Sequence, residues 1–336
     1  MHTLSFGLTG VLTGVITGAI TGGIVVAAVV PPLAHAQENY PVRPVRIIVP
    51  TTLGAGTDLS ARVLAQDFSK RWNQSVVVEN RAGAGTIVGT ELAARAPPDG
   101  YTLLMAPGAL ATIVPTYKKL PFDPVRDFAP IMHVLSTPQL LVVHPSLPAK
   151  NVREFIALAK ARPEQIQYAA AGHGTLPHLT MELFAMMAKV RLTNVLYKGN
   201  SGLTDLMGGR IEASMSASLS LVVPHVRTGR LRGLGVSSAT RLKALPDTPT
   251  IAESGVPGYE AMQWAGLLAP AGTPREIVAR LHKEAASTLS RAELMEPVVR
   301  DGSSVVASTP EAFGAFIKAE ITKWAGVVKA AGIQPE

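Results

Sequence analysis

A chain of 336 residues, 47% of them hydrophobic, can bury a large core, which argues against disorder and favours two domains. It contains no cysteine, so disulfides and thiolate metal sites are excluded. The net charge is +7, but the basic residues are scattered and aromatic residues make up only 5% of the chain, so a solvated basic surface that attracts acidic solutes is favoured over nucleic-acid binding.

The first 36 residues differ from the rest of the chain. Residues 4–30 are apolar and uncharged, and Ala34-His35-Ala36 supplies the small residues that flank a cleavage point. The sequence therefore predicts a signal peptide over residues 1–36 and an exported mature protein. No Lys or Arg occurs before Arg43, so a misplaced start or a retained anchor stays open. No later stretch reaches the roughly 18 uncharged apolar residues of a membrane span.

Residues 45–62 predict a strand, a glycine loop and a helix. Residues 47–49 are an apolar run typical of a buried strand, and the proline that follows ends it because proline has no N–H for the ladder. Two glycines predict the loop, and Thr57 or Asp58 is expected to cap a helix with apolar residues at i, i+4 spacing. The unpaired N–H groups of that helix start would form an anion site.

Phosphate-binding motifs do not match this stretch. A P-loop has a lysine directly after its last glycine, but here Thr57 follows Gly56. A dinucleotide fingerprint has a third glycine at the position that Leu59 occupies here. For this stretch alone, a tight turn with no ligand stays open.

The same alternation continues along the first half of the chain. Residues 76–78 and 101–105 predict strands, a glycine turn over residues 80–86 leads into a helix over residues 87–94, and a turn follows at residues 107–109. Strands that alternate with helices indicate a parallel sheet, and its loops gather at the carboxyl edge, where open α/β sheets bind ligands.

A long extended segment, residues 128–144, predicts a crossover into a second lobe. There a helix over residues 151–161 comes first, and then a strand over residues 167–170 and a glycine loop over residues 171–175 precede a second helix, which repeats the opening design. A short helix through residues 205–207 follows. Residues 259–270 are expected to return the chain to the first lobe. Two helices then close the chain: a capping box predicts Thr273 as the cap of the first, and the same Thr-Pro start predicts Thr309 as the cap of the second.

No catalytic constellation can be assembled from the sequence. No Gly-x-Ser-x-Gly elbow occurs, since the glycines around Ser201 are one residue short, and no His-Glu-x-x-His motif occurs. His173 and His178 are five residues apart, which fits one helical face poorly, so each is interpreted as a helix-start or structural histidine. The sequence thus argues against an enzyme.

Seven motifs carry a resemblance to a known family. They are residues 40–50 (YPVRPVRIIVP), the glycine loop of residues 54–58, and residues 78–85 (VENRAGAG), 120–124 (LPFDP), 197–199 (YKG), 245–255 (LPDTPTIAESG) and 269–274 (APAGTP). In this order, and over essentially the whole chain after the leader, they closely resemble the Bug-type extracytoplasmic receptors of tripartite tricarboxylate transporters.

The resemblance implies a periplasmic solute-binding protein with the α/β type II fold: two lobes, each a mostly parallel sheet flanked by helices, with a ligand cleft between them. Lobe 1 would comprise residues 38–136 and 264–336, and lobe 2 residues 137–263. It also implies a monomer without catalytic residues, metal, cofactor or nucleic acid, which passes a small carboxylated solute to membrane transporter subunits. A sensor subunit for a membrane kinase or, less favoured, an enzyme on the same scaffold stays open.

Members of this family hold carboxylates largely by loop amides, hydroxyls and bridging waters. Carried over to this sequence, the resemblance implies a ligand site on the loops of both lobes. Its residues would be Thr51, Thr52, Leu53, Gly54, Ala55, Gly56, Thr57, Asp58, Gly108, Ala109, Gly172, His173, Gly174, Thr175, His178, Tyr197, Lys198 and Ser218.

The first loop departs from the family pattern. Relatives usually carry an aromatic residue, a proline and a run of glycines after Val-Pro, whereas this chain has Thr51, Thr52, Leu53 and Ala55. A small threonine in place of a ring leaves room, so a bulkier or aromatic mono- or dicarboxylate such as terephthalate is expected. The alternative is that Leu53 or His173 fills the gap and leaves a pocket for small ligands.

Overall fold

The computed structural model describes residues 40–170, 172–197, 201–216, 218–300 and 302–336. The predicted signal peptide and Lys198 lie outside the described residues. Within these ranges, no helix is both long enough and apolar enough to cross a membrane.

The chain first builds most of lobe 1. Its elements are β1 (Val45–Val49), α1 (Gly56–Trp72), β2 (Val76–Asn80), a 3₁₀ turn (Ala84–Thr86), α2 (Ile87–Ala94), β3 (Thr102–Pro107), α3 (Ala109–Thr116) and the long strand β4 (Phe128–Pro138). The predicted strand and helix of the opening stretch are confirmed, because Ile47 on β1 packs in one core with Leu64 and Phe68 on α1.

Lobe 2 follows directly after β4. Its elements are β5 (Leu140–Val143), α4 (Val152–Ala161), β6 (Gln167–Ala170), α5 (Leu176–Ala188), β7 (Thr193–Leu196), α6 (Gly202–Met207), β8 (Ala213–Ser216), α7 (Leu219–Arg227) and β9 (Arg232–Val236). The predicted repeat of the opening design is confirmed at β6 and α5, where an apolar strand again leads through a glycine loop into a helix.

The chain then returns to lobe 1, as predicted. β10 (Met262–Pro270) lies between β3 and β4 in the sheet, and α8 (Arg275–Leu289), α9 (Ala292–Val299), β11 (Ser304–Val305) and α10 (Pro310–Ala330) complete the lobe. The threonine cap predicted at Thr309 is confirmed, since its Oγ1 accepts the N–H of Ala312. At Thr273 the cap is wrong, because that hydroxyl donates to the carbonyl of Pro270.

The strands form two sheets, one in each lobe, in the orders β11-β4-β10-β3-β1-β2 and β7-β6-β8-β5-β9. β1 pairs in parallel with β2 and β3, and β6 with β7 and β8. β10 and β5 run antiparallel to both of their neighbours. The predicted two-lobed α/β fold is confirmed. Each sheet is mixed, because the first strand after the chain enters lobe 2 (β5) and the first after it returns to lobe 1 (β10) are antiparallel to their neighbours.

Two crossing segments connect the lobes and are tied together at Gln139, between β4 and β5. The N–H of Gln139 donates to Ser237 Oγ (2.7 Å), and the N–H of Ser237 donates back to the carbonyl of Gln139 (2.8 Å). Ser237 Oγ in turn donates to the carbonyl of Ala261 (2.5 Å). All three residues are buried. The exact lobe boundaries stay a prediction, with β4 ending at Pro138 and β10 beginning at Met262.

Candidate functional site

The parallel strands of each lobe bring their following loops to one sheet edge. In lobe 1, β1, β2 and β3 lie side by side, with Val49 opposite Asn80 and Ile48 opposite Leu104. In lobe 2, β6 lies between β7 and β8 in the same parallel arrangement. Because the carboxyl ends of neighbouring parallel strands meet at one edge, each lobe offers a row of loops there.

The buried carboxylate of Asp58 holds the first loop, residues 50–55. It accepts hydrogen bonds from Gly54 N–H (2.9 Å), Arg62 Nε (3.0 Å) and Asn80 Nδ2 (2.9 Å). Asn80 Nδ2 also donates to the carbonyl of Thr51 (3.2 Å). Burial would raise the pKa of Asp58, but the bonds from Arg62, Gly54 and Asn80 outweigh it and hold the pKa below its ordinary value. The carboxylate is therefore ionised and supports the loop from behind.

The helix cap predicted at Thr57 or Asp58 is wrong. α1 begins at Gly56 with Ala55 as N-cap, so both residues lie in its first turn, and Asp58 reaches backwards to the N–H of Gly54. Thr57 and Asp58 are buried. Of the residues predicted to bind ligand, the structure thus places these two behind the loop.

The exposed side of the first loop is formed by Thr52, Leu53 and Gly54. Gly54 has φ +82°, a left-handed conformation that favours glycine. Leu53 is 72% exposed. Thr51 keeps a buried hydroxyl oxygen without a hydrogen-bond partner.

A second loop, which the sequence-based site left out, follows β2 at the same edge. Gly83, Ala84, Gly85 and Thr86 have φ values of +151°, +44°, +62° and +94° in succession, and the hydroxyl oxygen of Thr86 is buried without a partner. Positive φ at a β-branched residue is strained, and such strain concentrates at binding sites. The glycine turn in residues 80–86 was the sequence signal that could have placed this loop in the site.

Gly108 and Ala109 form the third loop of this edge, between β3 and α3. Gly108 is buried, and its N–H donates to the carbonyl of Trp264 (2.9 Å). A Cβ at Gly108 would lie 2.8 Å from Gln263 Oε1, so a larger residue there would require the end of that flexible side chain to shift.

The glycine loop of lobe 2 covers Gly172, His173, Gly174 and Thr175. Thr175 is the N-cap of α5, but its hydroxyl donates to the carbonyl of Gly172 (2.8 Å) within the loop. His173 is exposed. His178, also predicted to bind ligand, is buried, and its Nδ1 accepts the N–H of Gly174 (3.0 Å). The structure thus places His178 behind the loop, as it does Asp58 in lobe 1.

One loop from each lobe lies beside the carboxyl end of α3. Gly174 has φ +63°, and a Cβ there would lie 2.7 Å from Thr116 Cγ2. A Cβ at Gly85 would lie 3.1 Å from the hydroxyl of Tyr117. The second loop of lobe 1 and the glycine loop of lobe 2 therefore contact adjacent residues.

Tyr197 and Ser218 line a separate pocket of lobe 2. It is a small cavity of about 90 Å³, and its lining includes apolar side chains such as Leu206 as well as the hydroxyl-bearing Ser214. The hydroxyl of Tyr197 donates to Asp205 (2.9 Å). Among the described residues, no group of three or more His, Asp or Glu side chains could hold a metal ion.

Comparison with known proteins identifies the family. Residues 60–333 match the model of the tripartite tricarboxylate transporter family receptor, TctC. Protein BugT of Bordetella pertussis is 36% identical over 298 residues, which cover 88% of this chain and 91% of that protein.

Solved structures of the same family share the fold. Rpa4515 of R. palustris, solved with adipate, is 35% identical with a TM-score of 0.76, and the match covers 88% of this chain and 100% of that one. MatC of Rhodopseudomonas palustris, solved with bound malate, is 30% identical with a TM-score of 0.73 and covers 86% of this chain and 100% of that one. The chain therefore belongs to the TctC/Bug family of periplasmic solute-binding receptors.

Proposed function

We propose that this receptor captures a carboxylated solute between its lobes and delivers it to the membrane subunits of a tripartite tricarboxylate-type transporter. The observation that carries the proposal is that a glycine loop from each lobe lies beside one of two adjacent residues, Thr116 and Tyr117. Backbone N–H groups in the loops of residues 51–56, 83–86 and 172–175 would bind the carboxylates, apart from those of Gly54, Ala55, Thr86 and Gly174, which already donate within the protein.

The energetics support binding by loop amides alone. Hydrogen bonds to a charged group contribute about 1.5 to 3 kcal/mol each. Three or four of them approach the roughly 8 kcal/mol of a micromolar complex before ordering costs. No arginine clamp is required, and the hydroxyl of the exposed Thr52 would add direct or water-mediated contacts.

We further propose a ligand with an extended or aromatic body, such as adipate or terephthalate. Two features support this choice: the small side chain at Thr51 and the solvent-exposed position of Leu53.

Calorimetry with the purified mature protein tests this function. We expect adipate or terephthalate to bind in the micromolar range, and more tightly than succinate, malate, aspartate or citrate. Compaction in small-angle scattering should accompany binding, as hinge closure requires. No heat with any of these acids would contradict the receptor assignment, and binding of only the four- and five-carbon acids would contradict the proposed ligand class.

Thr51→Phe is expected to block the larger ligand. The ring would fill the space left by threonine, and overfilling a packed site costs about 1 to 3 kcal/mol, which corresponds to a loss of roughly 5- to 150-fold in affinity. Thr51→Val is the matched control, because it removes the hydroxyl but keeps the size. If Thr51→Phe leaves terephthalate and adipate binding intact, the widened site is not at position 51.

Export is expected to remove residues 1–36. The apolar leader and Ala34-His35-Ala36 motivate this expectation. Mass spectrometry of the protein from its native host should give a mature chain that begins at Gln37. A mature chain that still begins near Met1 would contradict cleavage.

A further inference from the structure

His178 lies in the first turn of α5 and is only 4% exposed. Its Nδ1 accepts the N–H of Gly174 at 3.0 Å. An imidazole nitrogen that accepts a hydrogen bond carries no proton, so the neutral ring must carry its proton on Nε2. Nε2 faces Glu182 Oε1, one helical turn later, at 3.8 Å. The geometry thus selects one tautomer of a neutral imidazole.

Glu182 is itself fixed from the core of lobe 2. The hydroxyl of Tyr168 on β6 donates to Glu182 Oε1 (2.5 Å), and the ring of Tyr168 stacks on that of His178 with centroids 6.4 Å apart. Burial raises the pKa of Glu182, against the opposing effect of the bond from Tyr168. Three neighbouring side chains, those of Tyr168, Glu182 and His178, therefore connect the core to the backbone of the glycine loop.

Few other titratable groups face this imidazole. The exposed ring of His173 lies 5.4 Å away, and the surface over Glu182 also carries the ion pair of Glu164 with Arg191. α3 and β8, which pack against α5, contain no titratable residue. On α10, the buried Glu320 is bound to Trp324 and Lys323, while Lys318 and Lys329 are exposed.

The imidazole is neutral at the pH of the periplasm. Burial, and then the charge of His173, lowers the pKa of His178 to about 4. Since the ordinary pKa is about 6.5, the unfolded chain binds this proton more readily, so stability is lost as the pH falls from about 6.5 towards 4. The bond to Gly174 is therefore intact at neutral pH.

We propose that His178 is the positioning residue of the lobe 2 ligand loop. Its neutral ring accepts the N–H of Gly174 and so holds residues 172–175 in the conformation that receives a carboxylate. The ring itself does not contact the ligand. This inference rests on the proposed function. Gly174 has no side chain of its own to hold it, and Thr116 leaves no room for one, so the loop depends on an acceptor from behind.

Two amide substitutions test the position of that acceptor. The side-chain amide of Asn can place its oxygen near the position of His178 Nδ1, whereas that of Gln reaches the position of Nε2. Hydrogen exchange of the Gly174 amide in the ligand-free protein and calorimetry with adipate as probe are the two readouts. We expect His178→Gln to speed exchange and weaken adipate binding by about tenfold or more, and His178→Asn to keep both within about threefold of wild type.

A pH series separates positioning from a purely structural role. The ratio of the Gly174 exchange rate in wild type to that in His178→Asn is expected to rise as the pH falls towards about 4, because an imidazolium cannot accept the N–H. A ratio that stays constant over this range would overturn the proposal, and so would equal losses in the Asn and Gln variants.

The wild type alone covers the case in which neither His178 variant folds. As the pH falls towards about 4, exchange of the Gly174 amide should speed up relative to that of the Leu179 amide, which is bonded to the carbonyl of Thr175 and does not depend on the imidazole. A constant ratio of these two exchange rates would overturn the positioning role. If wild-type protein binds neither adipate nor any other acid tested, the proposed function fails, but the exchange measurements still decide whether His178 holds the loop.

Discussion

Asp58→Ala is expected to abolish tight ligand binding and to lower the free energy of unfolding by about 2 to 4 kcal/mol. The substitution removes the acceptor of three hydrogen bonds, so the N–H of Gly54 and the side-chain amide of Asn80 each lose a hydrogen-bond partner. Arg62 is half-exposed and returns to water. The first loop then loses its support, and each residue that must be reordered on binding costs about 1 to 2 kcal/mol.

Asp67→Ala is the matched control for this experiment. Asp67 is also a buried aspartate on α1, with an arginine four residues later, and it accepts a hydrogen bond from Thr288 on α8, away from the first loop. We expect both variants to lose stability in chemical denaturation, but only Asp58→Ala to lose affinity for adipate in calorimetry. Equal binding by the two variants would show that Asp58 does not preorganise the loop.

The support from Asp58 should also persist in mild acid. Its folded-state pKa is lowered, so its contribution to stability is fully present above the unfolded value of about 3.9 and is lost as the pH falls below it. In wild type, the first loop is therefore expected to stay ordered down to about pH 4.

Local patterns were enough to predict most of the scaffold. The apolar run of β1 and the spacing of Leu64 and Phe68 on α1 are short-range signals, and the structure confirms them. Three helices, α3, α7 and α9, were not predicted. Each contains an interior proline, at Pro115, Pro224 and Pro297 respectively, a residue that normally indicates the end of a helix. Tertiary packing of their apolar faces overrides that signal.

The site was less predictable because its supports come from distant positions. Asp58 and His178 were predicted to bind ligand from their place beside glycine loops. Each side chain is instead held behind its loop by partners that no local pattern reveals. Asn80 bonds to Asp58, and Tyr168 bonds to Glu182, which lies beside His178. The loop of residues 83–86 carried a sequence signal, but its succession of positive φ values is visible only in the folded chain.

Ser237→Ala is expected to destabilise the protein by about 2 to 4 kcal/mol and to loosen the hinge. The hydroxyl joins the two crossing segments, since it accepts from the N–H of Gln139 and donates to the carbonyl of Ala261. Both backbone groups would be left buried and partly unpaired, at about 1 to 3 kcal/mol each. With the segments held only by their backbone hydrogen bonds, the lobes should sample more open arrangements, so closure on adipate would cost more and affinity should fall.

Ser238→Ala is the matched control, because it removes a buried serine hydroxyl that does not join the two crossing segments. Ser238 is the next residue and is also buried, but its hydroxyl donates only two residues along, to the carbonyl of Thr240. Its removal should cost about 0.5 to 1.5 kcal/mol and leave closure unchanged. Denaturation measures the first quantity, and small-angle scattering with and without adipate measures the second. If the two variants are equally stable and close equally, Ser237 does not couple the crossing segments, and the hinge must depend on their backbone hydrogen bonds alone.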